Sequence, residues 1–277
     1  MPELPEVETL RRDLEREVSG KRVKTVDVPG RTAVTRQTKK QLASRLEGTK
    51  LGSVARRGLM LAVKLDSGEL LVIDLGGTGR MRKASAREAM AKDTQVAVSF
   101  TQGGQLRLLD DGGEMDVWVA TPEELLEGVP ILGELGLDPF DEPISCTTFA
   151  HLLLRRRMKL RQVLGDPTAV VGIGPVYTDE ILHGAGLRHE RMSNELSSQE
   201  MRRLYRSLVE TLHEAAKHRG TTLADGRYTD LAGKRGDHGS ELQVYERDGK
   251  ACYRCRGVVA KARIGGRQVY FCPSCQT

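Results

Sequence analysis

Four cysteines near the C-terminus constrain this chain more than any other feature: Cys252-x2-Cys255-x16-Cys272-x2-Cys275. Each Cys-x-x-Cys turn presents two sulfurs on one side, and two such turns separated by β-prone residues have the spacing of a tetrahedral four-thiolate zinc site. The pattern predicts one Zn2+ held by Cys252, Cys255, Cys272 and Cys275 at the base of a β-hairpin. With four protein ligands the ion has no open position, so it folds its module and does not catalyse. A redox dithiol pair is the rival reading of the same spacing. Crowding four of the five cysteines into the last 26 residues is unlike a disulfide framework spread over a secreted domain. The fifth, Cys146, precedes a predicted helix without an accompanying histidine constellation and reads as a small half-buried residue.

The 277 residues suffice for two domains with a small appendage. Lysine and arginine number 43 against 38 aspartate and glutamate, and the net charge of +5 is a mild bias toward acidic partners. No stretch approaches the ~18 consecutive apolar residues of a membrane helix, and the acidic start is unlike a signal peptide. The expectation is a cytoplasmic protein with no membrane partner.

The hydrophobic pattern changes class along the chain. An amphipathic helix through Val7, Leu10, Leu14 and Val18 is followed by strand-like alternation at 22–28, a short helix at 38–47, and β-rich runs at 51–57, 60–66, 69–75, 96–101, 105–109 and 115–119. The part from 1 to 130 therefore predicts a β-sandwich flanked by helices, and the Gly- and Pro-rich stretch 131–143 reads as a linker. From 144 to 236 the pattern begins helical (147–164 and 175–183, then a capping box at Ser197 and Glu200) and ends in a Gly- and charge-rich loop; 237–277 is the cysteine module. The fold class is α+β.

The opening Pro2-Glu-Leu-Pro-Glu-Val-Glu-Thr9 carries the candidate chemistry. Removal of Met1 would make Pro2 a secondary amine whose pKa near ~8 lies below the ~10.4 of lysine, leaving more of it neutral and nucleophilic. The positive end of the first helix disfavours the ammonium and welcomes Glu3 and Glu6. Proline and glutamate also suit first helical turns on structural grounds alone.

Two further segments read as anion sites. Gly172-Ile-Gly174 before a helix exposes backbone N–H groups, with Arg155, Arg156, Arg157, Lys159 and Arg161 adding positive charge nearby. Lys261, Arg263 and Arg267 on the cysteine hairpin can reach a phosphate backbone, although such charges are commonly only a solvated face.

The start of the chain closely resembles that of the formamidopyrimidine-DNA glycosylase and endonuclease VIII family, and the tail through Arg267 and Cys272 resembles the zinc finger that ends it. Between them, 158–180 looks like the family's helix-two-turn-helix, and Gly220-Thr-Thr-Leu223 and Glu241-Leu-Gln-Val-Tyr245 resemble its loop and pre-finger segments, in the same order. The resemblance implies base-excision repair with abasic-site lyase activity: Pro2 as nucleophile at C1′, Glu3 moving protons at the sugar, and Glu6 and Glu180 at positions that shape the site. It implies phosphate contacts at Arg161, Gly172, Gly174, Arg263 and Arg267, one structural zinc, no organic cofactor, and a nucleoid-associated monomer whose partner is DNA.

Departures from the family pattern matter equally. Leu59 stands where the family's hairpin carries an assisting lysine, and Pro175 where its helix begins with a phosphate-holding asparagine. The side chains that plug a duplex after base extrusion are replaced by Gly77, Gly113 and Glu114. Extrusion costs a few kcal/mol in lost stacking and pairing, which a plug helps to offset. The sequence thus leads to a glycosylase that favours abasic, single-stranded or bubble DNA, with a non-catalytic DNA-structure binding protein on the same fold as its rival.

Overall fold

The computed structural model describes residues 1–141 and 143–277. It divides into two compact units, Met1–Gly133 with His218–Asp237, and Glu134–Lys217 with His238–Thr277. The loop that the sequence places at the end of the helical domain thus packs with the first unit. Of the expected linker, Gly136 and Leu137 bond to Pro167 and Ala169 of the second unit, while Glu142 lies outside the described residues.

In the first unit, helix α1 (Leu4–Val18) starts at Glu3, where Glu3 and Glu6 form a capping box, and carries Pro5 in its first turn. Its Leu4, Val7, Leu10, Leu14 and Val18 are at most 1% exposed, each stabilising the fold by roughly 1.5–3 kcal/mol. Two four-stranded antiparallel sheets follow. One has the order β1 (Val23–Asp27), β6 (Thr94–Phe100), β7 (Gln105–Leu109), β5 (Arg80–Ala84). The other runs β2 (Leu51–Arg57), β3 (Met60–Leu65), β4 (Leu70–Asp74), β8 (Asp116–Ala120). Leu61, Val63, Leu71, Ile73, Val117 and Val119 of the second sheet share one core with Val96, Val98, Leu106 and Leu108 of the first, so the sandwich expected from alternation is present. Helices α2 (Lys39–Leu46) and α3 (Pro122–Gly128) flank it, each opened by a threonine capping box. Strand β5 escapes the sequence pattern because only Met81 among its residues is buried.

The second unit holds α4 (Cys146–Arg156), α5 (Leu160–Leu164), α6 (Pro175–Ala185) and α7 (Ser198–Lys217). The helical stretch expected over 147–164 is interrupted where Arg157 turns into left-handed backbone, φ 47°. The capping box at Ser197 and Glu200 is present, with the Glu200 carboxylate accepting the Ser197 N–H at 2.8 Å. Strands β9 (Ala260–Ile264) and β10 (Arg267–Phe271) form the predicted hairpin. Among the described residues no helix is long and apolar enough to cross a membrane.

Candidate active site and nucleic-acid interface

Pro2 and Glu3 are buried at the entrance of α1, and Pro2 lines a narrow pocket together with Met1, Gly77, Thr78, Gly79, Thr221 and Tyr228. Glu6 closes this corner. One of its oxygens accepts the Glu3 N–H at 2.9 Å, the other the Thr221 N–H at 2.7 Å. A carboxylate so engaged positions: it ties the start of α1 to the returning loop 218–237.

That loop is a tightly stitched wall. Thr222 Oγ1 donates to the Tyr228 carbonyl (2.9 Å) and accepts the Gly236 N–H (2.8 Å), and the Tyr228 hydroxyl donates to the Arg219 carbonyl (2.8 Å). Burial, and then the Glu6 charge, pushes the Tyr228 phenol well above its usual range, so it stays a neutral donor. Arg219 pairs with Asp13 of α1 and, at 2.7 Å, with Asp230. Burial works against its charge, but the two carboxylates prevail and raise its pKa. Sequence reasoning missed Asp13, Arg219, Thr221, Tyr228 and Asp230. Asp13 sits beside Leu14 on the buried face of α1 and takes two cations, Arg16 on the next turn and Arg219 from the loop.

The rim of the pocket is the loop through Gly77, Thr78 and Gly79, against which the loop 110–115 is laid. Gly77 donates its N–H to Glu114 at 2.8 Å. Asp110 accepts from the Thr78 hydroxyl (2.6 Å) and from the amides of Gly112 (3.0 Å) and Met115 (2.9 Å). Burial raises the Asp110 pKa, yet these donors outweigh it and hold the carboxyl below its ordinary value. The loops approach so closely that a Cβ on Gly76 would lie 2.3 Å from the Glu114 carbonyl oxygen, and one on Gly77 would lie 2.3 Å from a Glu114 carboxylate oxygen. Leu59 packs against the core, and the neighbouring Arg56 guanidinium is fully buried against Glu8 at 3.1 Å. That cation balances a carboxylate of α1 and does not stand in for the missing lysine.

In the second unit the four cysteine sulfurs all lie within 4.8 Å of one another, with Cys252–Cys275 at 3.8 Å and Cys255–Cys272 at 3.5 Å. Tetrahedral thiolates at a zinc–sulfur distance of about 2.3 Å are about 3.8 Å apart, so the set fits one Zn2+ with no ligand missing. Val244, Val259 and Tyr270 pack around Cys252 and Cys272. Buried His183 places Nε2 3.4 Å from the Cys252 sulfur. Burial, helped by Arg254 and Arg247, lowers its pKa to about 4.

The predicted anion contacts fall in this unit. Arg161 reaches the hairpin, donating to the Ile264 carbonyl at 2.9 Å, and thereby braces the turn that carries Arg263 and exposed Arg267. Arg263 donates to the Gly266 carbonyl at 3.1 Å, and Lys261 is paired with Asp248 at 2.8 Å. Gly172 takes φ +66°, and Gly174 caps α6 without a side chain. Glu180 stands apart from these groups, buried in α6, where it accepts the N–H groups of Gln243, Val244 and Tyr245 at 2.8–2.9 Å. It fixes the segment leading into the cysteine module.

Comparison with known proteins agrees with this construction. Residues 1–112 match the formamidopyrimidine-DNA glycosylase N-terminal domain, 135–226 its H2TH domain, and 249–277 the zinc finger found in FPG and IleRS. The formamidopyrimidine-DNA glycosylase of Pelotomaculum thermopropionicum is 35% identical over 276 residues, spanning 100% of this chain and 99% of the relative. That of Geobacillus kaustophilus is 34% identical, with 100% of each chain covered. This chain belongs to the formamidopyrimidine-DNA glycosylase family. Two solved structures of the Lactococcus lactis enzyme superpose with a TM-score of 0.89 over 100% of both chains, at 28% and 29% identity; one holds DNA with an abasic site, the other is a G226P mutant with Fapy-dG DNA. Family membership makes the protein a DNA glycosylase with one structural zinc.

Proposed function

We propose that the protein is a base-excision repair glycosylase with abasic-site lyase activity, acting as a monomer, with Pro2 as its nucleophile once Met1 is removed. The observation that carries this reading is the placement of Pro2 in a pocket walled by residues of the loop 221–228, with Glu3 buried next to it at the start of α1. The Pro2 nitrogen forms a bond to C1′ as the C1′–base bond breaks, the base leaving with the bonding pair and acquiring a proton. Glu3 delivers a proton to O4′ as the sugar opens to an iminium ion; loss of a C2′ proton then expels the 3′ phosphate, and water releases Pro2. Glu6 positions the amine and the loop, and Glu180 the segment before the finger. Arg161, Gly172, Gly174, Arg263 and Arg267 receive the DNA backbone.

The preferred substrate is DNA whose target is already unstacked: an abasic site, or a lesion in a single strand or bubble. Gly77 and Gly113 have no side chain to fill the space left by an extruded base, and Glu114 at the rim repels phosphates. Borohydride trapping on abasic and 8-oxoguanine DNA, in paired and bubble form, with intact-mass measurement of the protein, tests both parts. A covalent adduct and faster cleavage of bubbles are expected. Equal rates on paired and bubble DNA would refute the preference. No adduct on any of these DNAs with Met1 absent would leave a binding protein.

A further inference from the structure

Arg219 is the residue of the recognition wall that the mechanism leaves unused. Its backbone has φ 60°, a left-handed conformation that disfavours residues bearing a Cβ, yet an arginine occupies it. The side chain accounts for this choice. From that position its guanidinium spans two buried carboxylates, Asp13 on α1, 6% exposed, and Asp230 in the loop, 2% exposed. Asp13 is also paired with Arg16 one turn along α1, so Arg219 is the cation that joins the helix to the loop. Asp230 in turn organises its own turn, accepting the N–H groups of Ala232 and Lys234 at 2.9 Å each. Immediately after Arg219, Gly220 brings its backbone against Glu6 and Tyr228, and Thr221 donates to Glu6. The same ion-pair bridge therefore fixes both the entrance of the loop, beside Glu6, and its far turn.

We propose that Arg219 is a positioning residue that clamps the loop 220–236 onto helix α1, so that the wall gripping the extruded base is already assembled in the DNA-free protein. The inference rests on the proposed function only in taking that wall to face the base. An assembled wall spares the complex the loss of binding-competent population that a mobile loop incurs. It contributes when there is a base to grip and much less at an abasic site, where none is present.

Arg219→Gly and Arg219→Asn both accept the left-handed backbone and both remove the bridge, so an effect common to the two reports the clamp and not strain. In the DNA-free protein, amide hydrogen exchange at Thr221 and Gly236 should accelerate in both variants while the amides of β3 and β4 keep their protection. On bubble DNA, KM for an oxidised base should rise about tenfold relative to KM for an abasic site, with kcat for the two changing in parallel. Unchanged protection at Thr221 and Gly236 in both variants would overturn the clamp. Lost protection with an unchanged ratio of the two KM values would overturn its role in gripping the base. The exchange measurement needs no DNA, so a wild-type protein that cleaves nothing would count against the proposed function and leave the clamp to be decided by exchange.

Discussion

The corner around Pro2 and the rim around Gly77 belong to the same unit and line the same pocket, yet they are built in opposite ways. The corner is anchored by apolar burial along α1 and by carboxylates whose acceptors are taken up by backbone N–H groups, Glu6 foremost. The rim is two glycine-rich loops laid against each other and fastened by Asp110 and Glu114. A corner of this kind tolerates little change, because every substitution there disturbs either packing or a buried hydrogen bond. The rim's glycines lie so close to Glu114 that a side chain at Gly77 requires the Glu114 carboxylate to move. The two regions therefore rest on different contacts, the corner on a buried helix face and the rim on apposed turns.

The largest expected effect lies in the corner: Pro2→Gly, which leaves a primary amine in place of the secondary one, and Glu3→Gln should each slow cleavage at least about a hundredfold, read in single-turnover assays. A borohydride-trapped adduct that peptide mapping places away from the N-terminus would transfer the nucleophile elsewhere and break the contrast. Next in size is the metal. Chelation or Cys272→Ser should unfold the hairpin and weaken DNA binding at Arg263 and Arg267, while circular dichroism of the sandwich persists; zinc-free protein with full affinity would contradict this. A rim graft sharpens the comparison from the other side. Because a side chain at Gly77 would collide with Glu114, Gly77→Met must be paired with Glu114→Phe. The pair should raise the rate on paired duplex relative to bubble by about tenfold, equivalent to about 1.4 kcal/mol.

The smallest expected effect lies outside both regions. The Ser197 amide, the Ser197 hydroxyl and Arg191 hold Glu200 at a pKa of about 2. A depressed carboxyl stabilises the fold at pH values above its unfolded pKa, and the contribution is lost as pH falls through the folded value. Glu200→Gln should therefore lower Tm at neutral pH, with the gap to the wild type closing as pH falls from about 4.5 toward about 2. A gap constant across that range would refute the assignment.

These two ways of building also decided what was legible in the sequence. The four clustered cysteines and most strands depend on local spacing or on period-two alternation, and they could be read directly. Strand β5 could not, since its pairing with β7 is carried by backbone while Arg80, Arg82 and Lys83 hide the alternation. Nor could the wall of the pocket. Glu6 meets Thr221 across 215 positions and Asp13 meets Arg219 across 206, and no local periodicity encodes a contact at such separation. Arg161 was read as a phosphate contact from its charge, whereas its hydrogen bond to Ile264 depends on how the hairpin folds back toward α5.

The return of residues 218–237 to the first unit has a consequence for how the protein is made. Tyr228 and Leu231 belong to the same core as α1 and the two sheets, and Leu231 accepts a hydrogen bond from the Lys83 amide of β5. A ribosome that has released only the first 133 residues has therefore produced an unfinished sandwich, with two core positions and the capping partner of Glu6 still to come. Glu6 and Thr221 stand 215 positions apart, so the pocket around Pro2 is completed only when the loop that carries Thr221 and Tyr228 has followed. Chains broken off before that point carry α1 without the loop that walls its pocket.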